Sequence, residues 1–134
     1  MGLTDPAPPI ERLRKRPDFL AAAKARAAPK GAVLMQMRPR DDGDPVIRVG
    51  FTATRKIGGA VVRNRAKRRL REAARLLLPE HGRPGCDYVL IARSGTTTRA
   101  WPRLLDDVKS ALISLAAQTG TAGGAEAPEP SRTG

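Results

Sequence analysis

A dense cluster of basic side chains lies between residues 55 and 71. Eight of these seventeen positions are Lys or Arg and none is acidic, so the stretch carries +8 of the chain's formal charge of +12. The rest of the chain is nearly balanced, with 17 basic and 13 acidic residues. A charge cluster of one sign repels itself unless an anion lies against it, and a polyphosphate backbone binds such a cluster with release of counterions. The pattern therefore predicts nucleic-acid binding, without distinguishing RNA from DNA.

The acidic residues are candidates for a metal-dependent nuclease, because such enzymes pair carboxylates around a cation. The run Asp-Asp-Gly-Asp-Pro at 41–45 is typical of a turn. Asp87 opens an apolar strand and is expected to be structural. Asp106 and Asp107 are adjacent, so on a helix they point about 100° apart and share an ion poorly. The sequence thus favours a polypeptide without an active site of its own.

His81 and Cys86 are the chain's single histidine and cysteine, so a zinc site built from these residue types is excluded. His81 lies in a linker and is interpreted as a surface residue, and Cys86 as a small buried apolar side chain. One cysteine allows no intrachain disulfide, which fits a reducing cytoplasm. No apolar run approaches the length of a membrane span, and no export signal is expected. Nucleic acid is therefore the partner that a pI near 11.3 favours.

The chain of 134 residues is expected to form one domain. Residues 1–11 are predicted to be a flexible lead, 12–118 the folded domain, and 119–134 a disordered tail rich in Gly, Ala and Pro. A first helix is predicted over about 18–26, with Asp18 as its cap. Strands are predicted over 31–37 and 46–54, on either side of the turn at 41–45.

The second of these strands alternates in character. One face is apolar and is predicted to join the core: Ile47, Val49, Phe51 and Ala53. The other face is small and polar and suits the floor of a cleft: Arg48, Gly50, Thr52 and Thr54. Phe51 is therefore interpreted as a core residue. For Phe19, at the start of the first helix, core packing and stacking on a nucleobase are equally open.

A long helix is predicted from about Gly58 and Gly59 to just before Pro79. Its apolar stripe has helical spacing: Val62, Ala66, Leu70, Ala73 and Leu77. The opposite face is polar and basic: Asn64, Arg68, Arg71 and Arg75, with Lys67 nearby and Arg65 and Arg69 flanking the stripe. One side is therefore expected to pack and the other to meet a partner, aided by the partial positive charge of the helix N-terminus. Pro79 would end this helix too early for a leucine-zipper basic region.

Two further elements complete the chain. Residues 86–93 are apolar enough for a central strand. A final helix is predicted to open at 96–100 and to bury residues at helical spacing: Leu104, Leu105, Val108, Leu112 and Leu115. A helix between two strands suggests a β–α–β crossover inside an α+β sandwich.

The segment Arg-Lys-Ile-Gly-Gly-Ala-Val-Val-Arg-Asn-Arg-Ala-Lys-Arg at 55–68 closely resembles the signature of the bacterial ribonuclease P protein subunit. Supporting segments occur in the same order, at 14–19, 49–54 and 87–93, and the resemblance covers about residues 12–118. It implies a two-layer α+β sandwich of a small mixed sheet and helices, in the order α-β-β-β-α-β-α. A left-handed β–α–β crossover and a ribosomal protein S5 domain 2-like fold are also implied. The extra strand that this order requires is expected near 27–30 or within a span that is predicted above as one strand.

The resemblance also implies a function. The family's protein binds a large catalytic RNA, which uses bound Mg²⁺ to hydrolyse the phosphodiester that joins the 5′ leader to a precursor tRNA. The protein holds the leader and strengthens the affinity for metal and substrate. The implied complex has one protein per catalytic RNA and works in the cytoplasm, without a membrane.

Residue roles follow by position from the same resemblance. It implies that the RNA is contacted by Arg55, Lys56, Arg63, Asn64, Arg65, Lys67, Arg68 and Arg71. It implies that a leader channel between the first helix and the sheet is lined by Phe19, Met35, Thr52 and Thr54. Many members have further aromatic side chains in that channel, where this chain has Ala23 and Met35. The leader is therefore expected to be held more by phosphate and small polar contacts than by base stacking.

Two other classes of protein are open alternatives. A basic RNA-binding protein of the ribosomal type would act without any reaction, and the signature at 55–68 argues against it. A nuclease acting alone would need Asp41, Asp42 or Asp87 to converge on one metal ion.

Overall fold

A computed structural model of the protein describes residues 8–120. Its regular elements are five strands and three helices. A short 3-10 turn at Arg55–Ile57 lies between the fourth strand and the second helix. In chain order they are β1 (Ile10–Arg12), α1 (Arg16–Ala23), β2 (Arg26–Lys30), β3 (Val33–Pro39), β4 (Ile47–Thr52), α2 (Ala60–His81), β5 (Cys86–Ala92) and α3 (Trp101–Gly120).

The strands form one mixed sheet in the order β1-β4-β5-β3-β2. β4 is parallel to both β1 and β5, whereas β3 is antiparallel to both β5 and β2. Because α2 connects β4 to the adjacent parallel strand β5, the predicted β–α–β unit is confirmed. The α+β class is confirmed with it, while the left hand of the crossover stays a prediction.

The main core lies between one face of the sheet and helices α2 and α3. β5 contributes alternate buried side chains such as Tyr88 and Leu90, α2 contributes Leu70, and α3 contributes Leu104 and the rest of its predicted stripe. The buried stripe of α2 differs slightly from the predicted one, because Ala74 and Leu78 are buried while Leu77 is only half-buried. α1 covers part of the opposite face through a smaller cluster around Ala22 and Val89.

The beginning of the fold differs from its prediction. Ile10 and Glu11 belong to the predicted flexible lead, but they lie in β1 and pair in register with Ile47 and Arg48. Three residues are too few to show the alternating pattern by which a strand is predicted from sequence. β1 is recognised only from its pairing with β4. β2 fills the place near 27–30 where an additional strand was expected. Residues 1–7 of the predicted lead lie outside the described residues.

Two helix boundaries also need correction. α2 does not stop before Pro79 but continues to His81, and the amide of Gly82 donates to the Leu78 carbonyl at its end. Pro79 removes only one backbone hydrogen bond in the last turn, and burial of Leu78 in the core holds that turn in place. α3 includes residues 119–120 of the predicted disordered tail, and 121–134 lie outside the described residues.

α1 begins earlier than predicted, at Arg16 rather than at residue 18. Pro17 occupies the second position of the helix, where its missing amide costs no hydrogen bond. Asp18 therefore lies in the first turn and is not the cap, which is Lys15.

Candidate nucleic-acid interface

The link from β4 to α2 places two basic side chains beside the N-terminus of a long helix. The 3-10 turn carries Arg55 and Lys56, both exposed, and Gly58 then redirects the chain with a φ of 141°. A Cβ at Gly58 would lie 2.8 Å from the Cβ of Val62, so the turn fits tightly against α2 only because this position is glycine. The first turn of α2 has no side-chain cap and no acidic residue. Its amides and helix dipole therefore add to the positive field.

α2 presents an open basic face, as predicted. Asn64, Arg65 and Arg68 are exposed, and Lys67 and Arg63 are half-buried. Within residues 8–120, six of the predicted RNA-contacting side chains have no hydrogen bond, ion pair or ring contact with protein: Arg55, Lys56, Asn64, Arg65, Lys67 and Arg68. These groups are available to an external anion.

Two members of the predicted set have partners inside the protein. The Nη1 of Arg63 donates to the Gly58 carbonyl at 3.3 Å and so helps to close the turn. The guanidinium of Arg71 lies over the ring of Phe51, 5.8 Å from its centroid, while the residue remains exposed. Both can still offer donors to a phosphate, because a guanidinium has five N–H groups.

Arg69 belongs to the same basic run but has a different role. Its Nη1 donates to the Thr96 carbonyl at 2.6 Å, and its Nη2 donates to the Arg99 carbonyl at 2.7 Å. The guanidinium also lies 5.7 Å from the centroid of the Trp101 ring. Arg69 therefore joins α2 to the loop before α3. The only sign of this role in the sequence is the position of Arg69 at the edge of the apolar stripe.

The second candidate surface is a cleft between α1 and the sheet. Phe19 is half-buried and lies on Gly50, where a Cβ would come within 2.5 Å of its ring. A strand glycine often marks such a close approach. Beside the ring is a cleft of about 470 Å³, lined by Arg12, Leu13, Arg14, Phe19, Gly50 and Phe51. Thr52 follows Gly50 on the same face of β4, and exposed Thr54 lies just beyond the end of the strand.

Met35 is not part of this cleft, so its predicted place in a leader channel is wrong. Its side chain is fully buried in the main core, on the face of the sheet that packs against α2 and α3. Strand alternation then puts its neighbours Leu34 and Gln36 on the α1 face, and both are half-buried. Ala23, the other position without an aromatic ring, is exposed at the end of α1.

A row of charged residues crosses the same face of the sheet near Asp18. Strand register places Arg38 and Arg48 on either side of Asp87, whose side chain is fully buried. Arg48 donates two hydrogen bonds to this carboxylate at 2.8 and 2.9 Å, and Arg40 donates another at 2.9 Å. Asp18 of α1 lies 3.7 Å from Arg38 and 3.5 Å from Arg48. Asp87 is therefore structural, as predicted, and the row also links α1 to the sheet.

The acidic run at 41–45 forms a turn, as predicted. Asp42 accepts hydrogen bonds from Arg40 and from the amide of Asp44, and the bond from Arg40 lowers the pKa of Asp42. Asp44 accepts from the amide of Val46. Asp42 and Asp87 thus both accept hydrogen bonds from Arg40. Among the described residues, no three His, Cys, Asp or Glu side chains are grouped as possible metal ligands.

Cys86 and His81 lie at the two ends of the link between α2 and β5. Cys86 is buried, and that burial raises the pKa of its thiol. His81 lies 3.6 Å from Glu80 at the end of α2. None of the helices within residues 8–120 is both long and apolar enough to cross a membrane.

Comparison with known proteins is consistent across sequence and structure. A family model described as Ribonuclease P matches residues 8–116. The ribonuclease P protein component of Caulobacter vibrioides strain NA1000 is 76% identical over 108 residues, which cover 81% of this chain and 72% of that protein. The component of Ruegeria pomeroyi is 59% identical over 108 residues, which cover 79% of this chain and 86% of the relative.

Solved structures show the same fold at much lower identity. The Staphylococcus aureus RNase P protein aligns with a TM-score of 0.64 at 23% identity, covering 78% of this chain and 94% of that one. The Thermotoga maritima RNase P protein aligns with a TM-score of 0.63 at 26% identity, covering 74% and 92%. These alignments confirm the α+β fold, while its likeness to the S5 domain stays a prediction.

Proposed function

The chain belongs to the ribonuclease P protein family, and on that premise we propose that it is the protein subunit of a cytoplasmic ribonuclease P. In this role it binds the catalytic RNA subunit and the 5′ leader of precursor tRNA, and it assists endonucleolytic removal of the leader. The observation that carries the proposal is the basic face of α2 with its preceding turn, where exposed cations have no protein partner in the described structure.

The basic face of α2 and the cleft between α1 and the sheet bind different RNAs. The α2 face, with Arg55 and Lys56, binds the catalytic RNA through phosphate contacts, and Asn64 adds directional hydrogen bonds. The cleft between α1 and the sheet receives the single-stranded leader, with Phe19 as its aromatic platform and Thr52 and Thr54 as small polar contacts. Met35 is buried, Ala23 has no ring, and the guanidinium of Arg71 lies over the ring of Phe51. Base stacking in this cleft therefore rests on Phe19.

The carboxylates of this chain do not fit a Mg²⁺ site. Asp42 and Asp87 accept hydrogen bonds from arginines, and a guanidinium occupies the place that a cation would take. Mg²⁺ is accordingly assigned to the catalytic RNA and the substrate, where it supplies the chemistry of phosphodiester hydrolysis. The polypeptide contributes binding and orientation, which lower the entropic cost of bringing the substrate to the RNA. One α2 face and one cleft per chain favour a complex of one protein with one RNA.

Cleavage of a precursor tRNA with a 5′ leader, at low Mg²⁺, tests this function. The three reactions contain this protein alone, a bacterial ribonuclease P RNA alone, and both together. We expect cleavage at the mature 5′ end only in the combined reaction. Cleavage by the protein alone would contradict the proposal and point to an active site among its carboxylates. RNA binding without any stimulation, after a matched RNA has been tried, would favour the ribosomal-type alternative.

A further inference from the structure

Residues 93–103 comprise the link between β5 and α3 together with the first three residues of α3, and we call this whole segment the loop. It is largely exposed and yet held at three points. Arg69 holds it from the side of α2 through the Thr96 and Arg99 carbonyls. Thr96 is buried, and its hydroxyl lies 2.7 Å from the Ala32 carbonyl and accepts from the amide of Arg93 at 2.9 Å. The loop therefore has a fixed shape before any partner arrives.

The third point of attachment lies at the far end of the loop. Arg99 forms a two-bond ion pair with Asp107 of α3, and the same carboxylate accepts a hydrogen bond from the amide of Ala32 at 3.0 Å. Gly31 allows this contact, since a Cβ there would come within 2.3 Å of the Asp107 carboxyl group. The turn between β2 and β3 is thus connected to the loop through the carboxylate of Asp107.

The loop is basic. Residues 93–103 contain three arginines and no acidic residue. Arg93 and Arg103 are exposed and have no ion pair within the described residues, whereas the charge of Arg99 is matched by Asp107. Two unmatched positive charges therefore stand on a rigid support, and a rigid support loses little entropy when a partner binds.

The loop also adjoins the basic face of α2. Arg65 lies one helical turn before Arg69 on α2, on the side that meets the loop. β4 and β5 are parallel neighbours, so the turn with Arg55 and Lys56 and the loop that starts at Arg93 leave the sheet at the same edge. The two basic regions therefore follow the same edge of the sheet, and Arg69 connects the second one to α2.

We infer that Arg93 and Arg103 form a second row of phosphate contacts beside α2, and that Arg69 is the positioning residue that aligns this row with the helix. This inference rests on the proposed function, because the partner is the backbone of the structured RNA that α2 binds. It enlarges the interface from one helix face to a surface formed by α2, the loop and the start of α3.

The salt dependence of RNA binding tests the row directly. Binding of a bacterial ribonuclease P RNA is measured at several salt concentrations for the wild type and for the double variant Arg93→Ala/Arg103→Ala. A matched control, Lys24→Ala/Arg83→Ala, removes the same charge from exposed positions away from the loop. We expect the loop variant to bind more weakly and its log–log salt slope to fall by about 1.4–1.8, at about 0.7–0.9 for each phosphate contact. The control slope should stay near that of the wild type.

Arg69→Lys tests the positioning role, because it keeps the charge but cannot bridge two carbonyls in the same way. We expect faster hydrogen exchange at the amides of Thr96, Thr98 and Arg99, together with weaker RNA binding. In a double-mutant cycle, the binding loss from Arg69→Lys should largely disappear when Arg93 and Arg103 are already alanine.

The outcomes separate this inference from the proposed function. If the wild type does not bind the RNA, the proposed function fails and the second row fails with it. If the wild type binds and the loop variant keeps the wild-type slope, or loses no more than the control, only the second row is overturned. Additive losses in the cycle would overturn the positioning role of Arg69.

Discussion

Arginine has three different functions in this protein, and its neighbours decide which. Arg68 is exposed and has no protein partner among the described residues, so it is available to RNA. Arg69, the next residue, is occupied by two backbone carbonyls. Arg40 has a side chain that is only 3% exposed and pairs with Asp42 and Asp87. A run of basic letters predicts the total charge, but these roles depend on contacts with residues far away in the chain.

Arg68→Ala should weaken RNA binding without destabilising the fold, because the side chain is exposed and has no hydrogen bond, ion pair or ring contact within residues 8–120. We expect the log–log salt slope to fall by about 0.7–0.9 and the free energy of unfolding to stay within about 0.5 kcal/mol of the wild type. Arg75→Ala is the control on the same helix, since Arg75 is already paired with Glu72. An unchanged slope for Arg68→Ala would contradict the assignment of this face.

Asp87→Asn should destabilise the fold, because it leaves Arg40 buried with less compensating charge. We expect the free energy of unfolding to fall by about 2–3 kcal/mol, somewhat below the usual cost of breaking a buried pair because Asp42 still faces Arg40. Urea unfolding measures the change. Asp106→Asn, at an exposed position, should have little effect, and an equal loss in both variants would contradict a special role for Asp87.

Tyr88 should make the protein sensitive to alkali. Burial raises the pKa of Tyr88 to about 12, although its hydroxyl accepts a hydrogen bond from the amide of Arg83. Below pH of about 10 the phenol is protonated in both folded and unfolded chains, so its stabilising contribution is fully present. As the pH rises towards 12, only the unfolded chain loses the proton, and stability should fall by roughly 2–3 kcal/mol.

Tyr88 is the chain's single tyrosine, so ultraviolet absorbance reports its ionisation directly. Tyr88→Phe provides the control, because lysines also lose protons in this pH range. Its unfolding free energy should fall less between pH 10 and 12 than that of the wild type. The same loss in both proteins would show that Tyr88 is not the group responsible.

At the scale of elements, the junction between β4 and α2 determines where the basic turn lies. Gly58→Ala should displace this turn, since the φ of 141° strains any side chain and the new Cβ would clash with Val62. We expect a loss of about 1–3 kcal/mol in unfolding free energy and weaker RNA binding. Gly59→Ala is the matched control, because a Cβ there meets nothing within 4 Å. Equal effects of the two substitutions would contradict this reading of the junction.

The sequence predicted the long elements better than the short or ambiguous ones. The main parts of α2, α3 and β5 lie where they are predicted, because their apolar residues recur with a clear period over many positions. Their ends are less accurate: α2 continues past Pro79, and α3 begins at Trp101 rather than within 96–100. The face of Met35 was not predictable, since Leu34 is also apolar and both faces of β3 are covered. The continuation of α2 through Pro79 depends on the burial of Leu78, which only the packed structure shows.

At the scale of the whole molecule, charge is distributed unevenly. The stretch 55–71 carries most of the net charge of +12, whereas the acidic residues Asp18, Asp42, Asp87 and Asp107 are engaged by arginines elsewhere. Such a field speeds the approach of a polyanion more than it slows its departure. We expect the association rate with the catalytic RNA to fall steeply between about 50 and 300 mM salt, as measured by stopped-flow mixing. A rate independent of salt would contradict electrostatic steering.

The position of β5 has a consequence for how the protein is made. This strand lies at the centre of the sheet but comes last among the strands in the chain. While the ribosome is still adding residues before 86, the nascent chain can offer only two separate strand pairs, β1 with β4 and β2 with β3, and an already basic helix. β5, which joins the β1–β4 pair to the β2–β3 pair, leaves the ribosome after both pairs. A polypeptide interrupted before residue 86 therefore lacks the strand that unites the sheet, and α3 can complete the core only after that strand is in place.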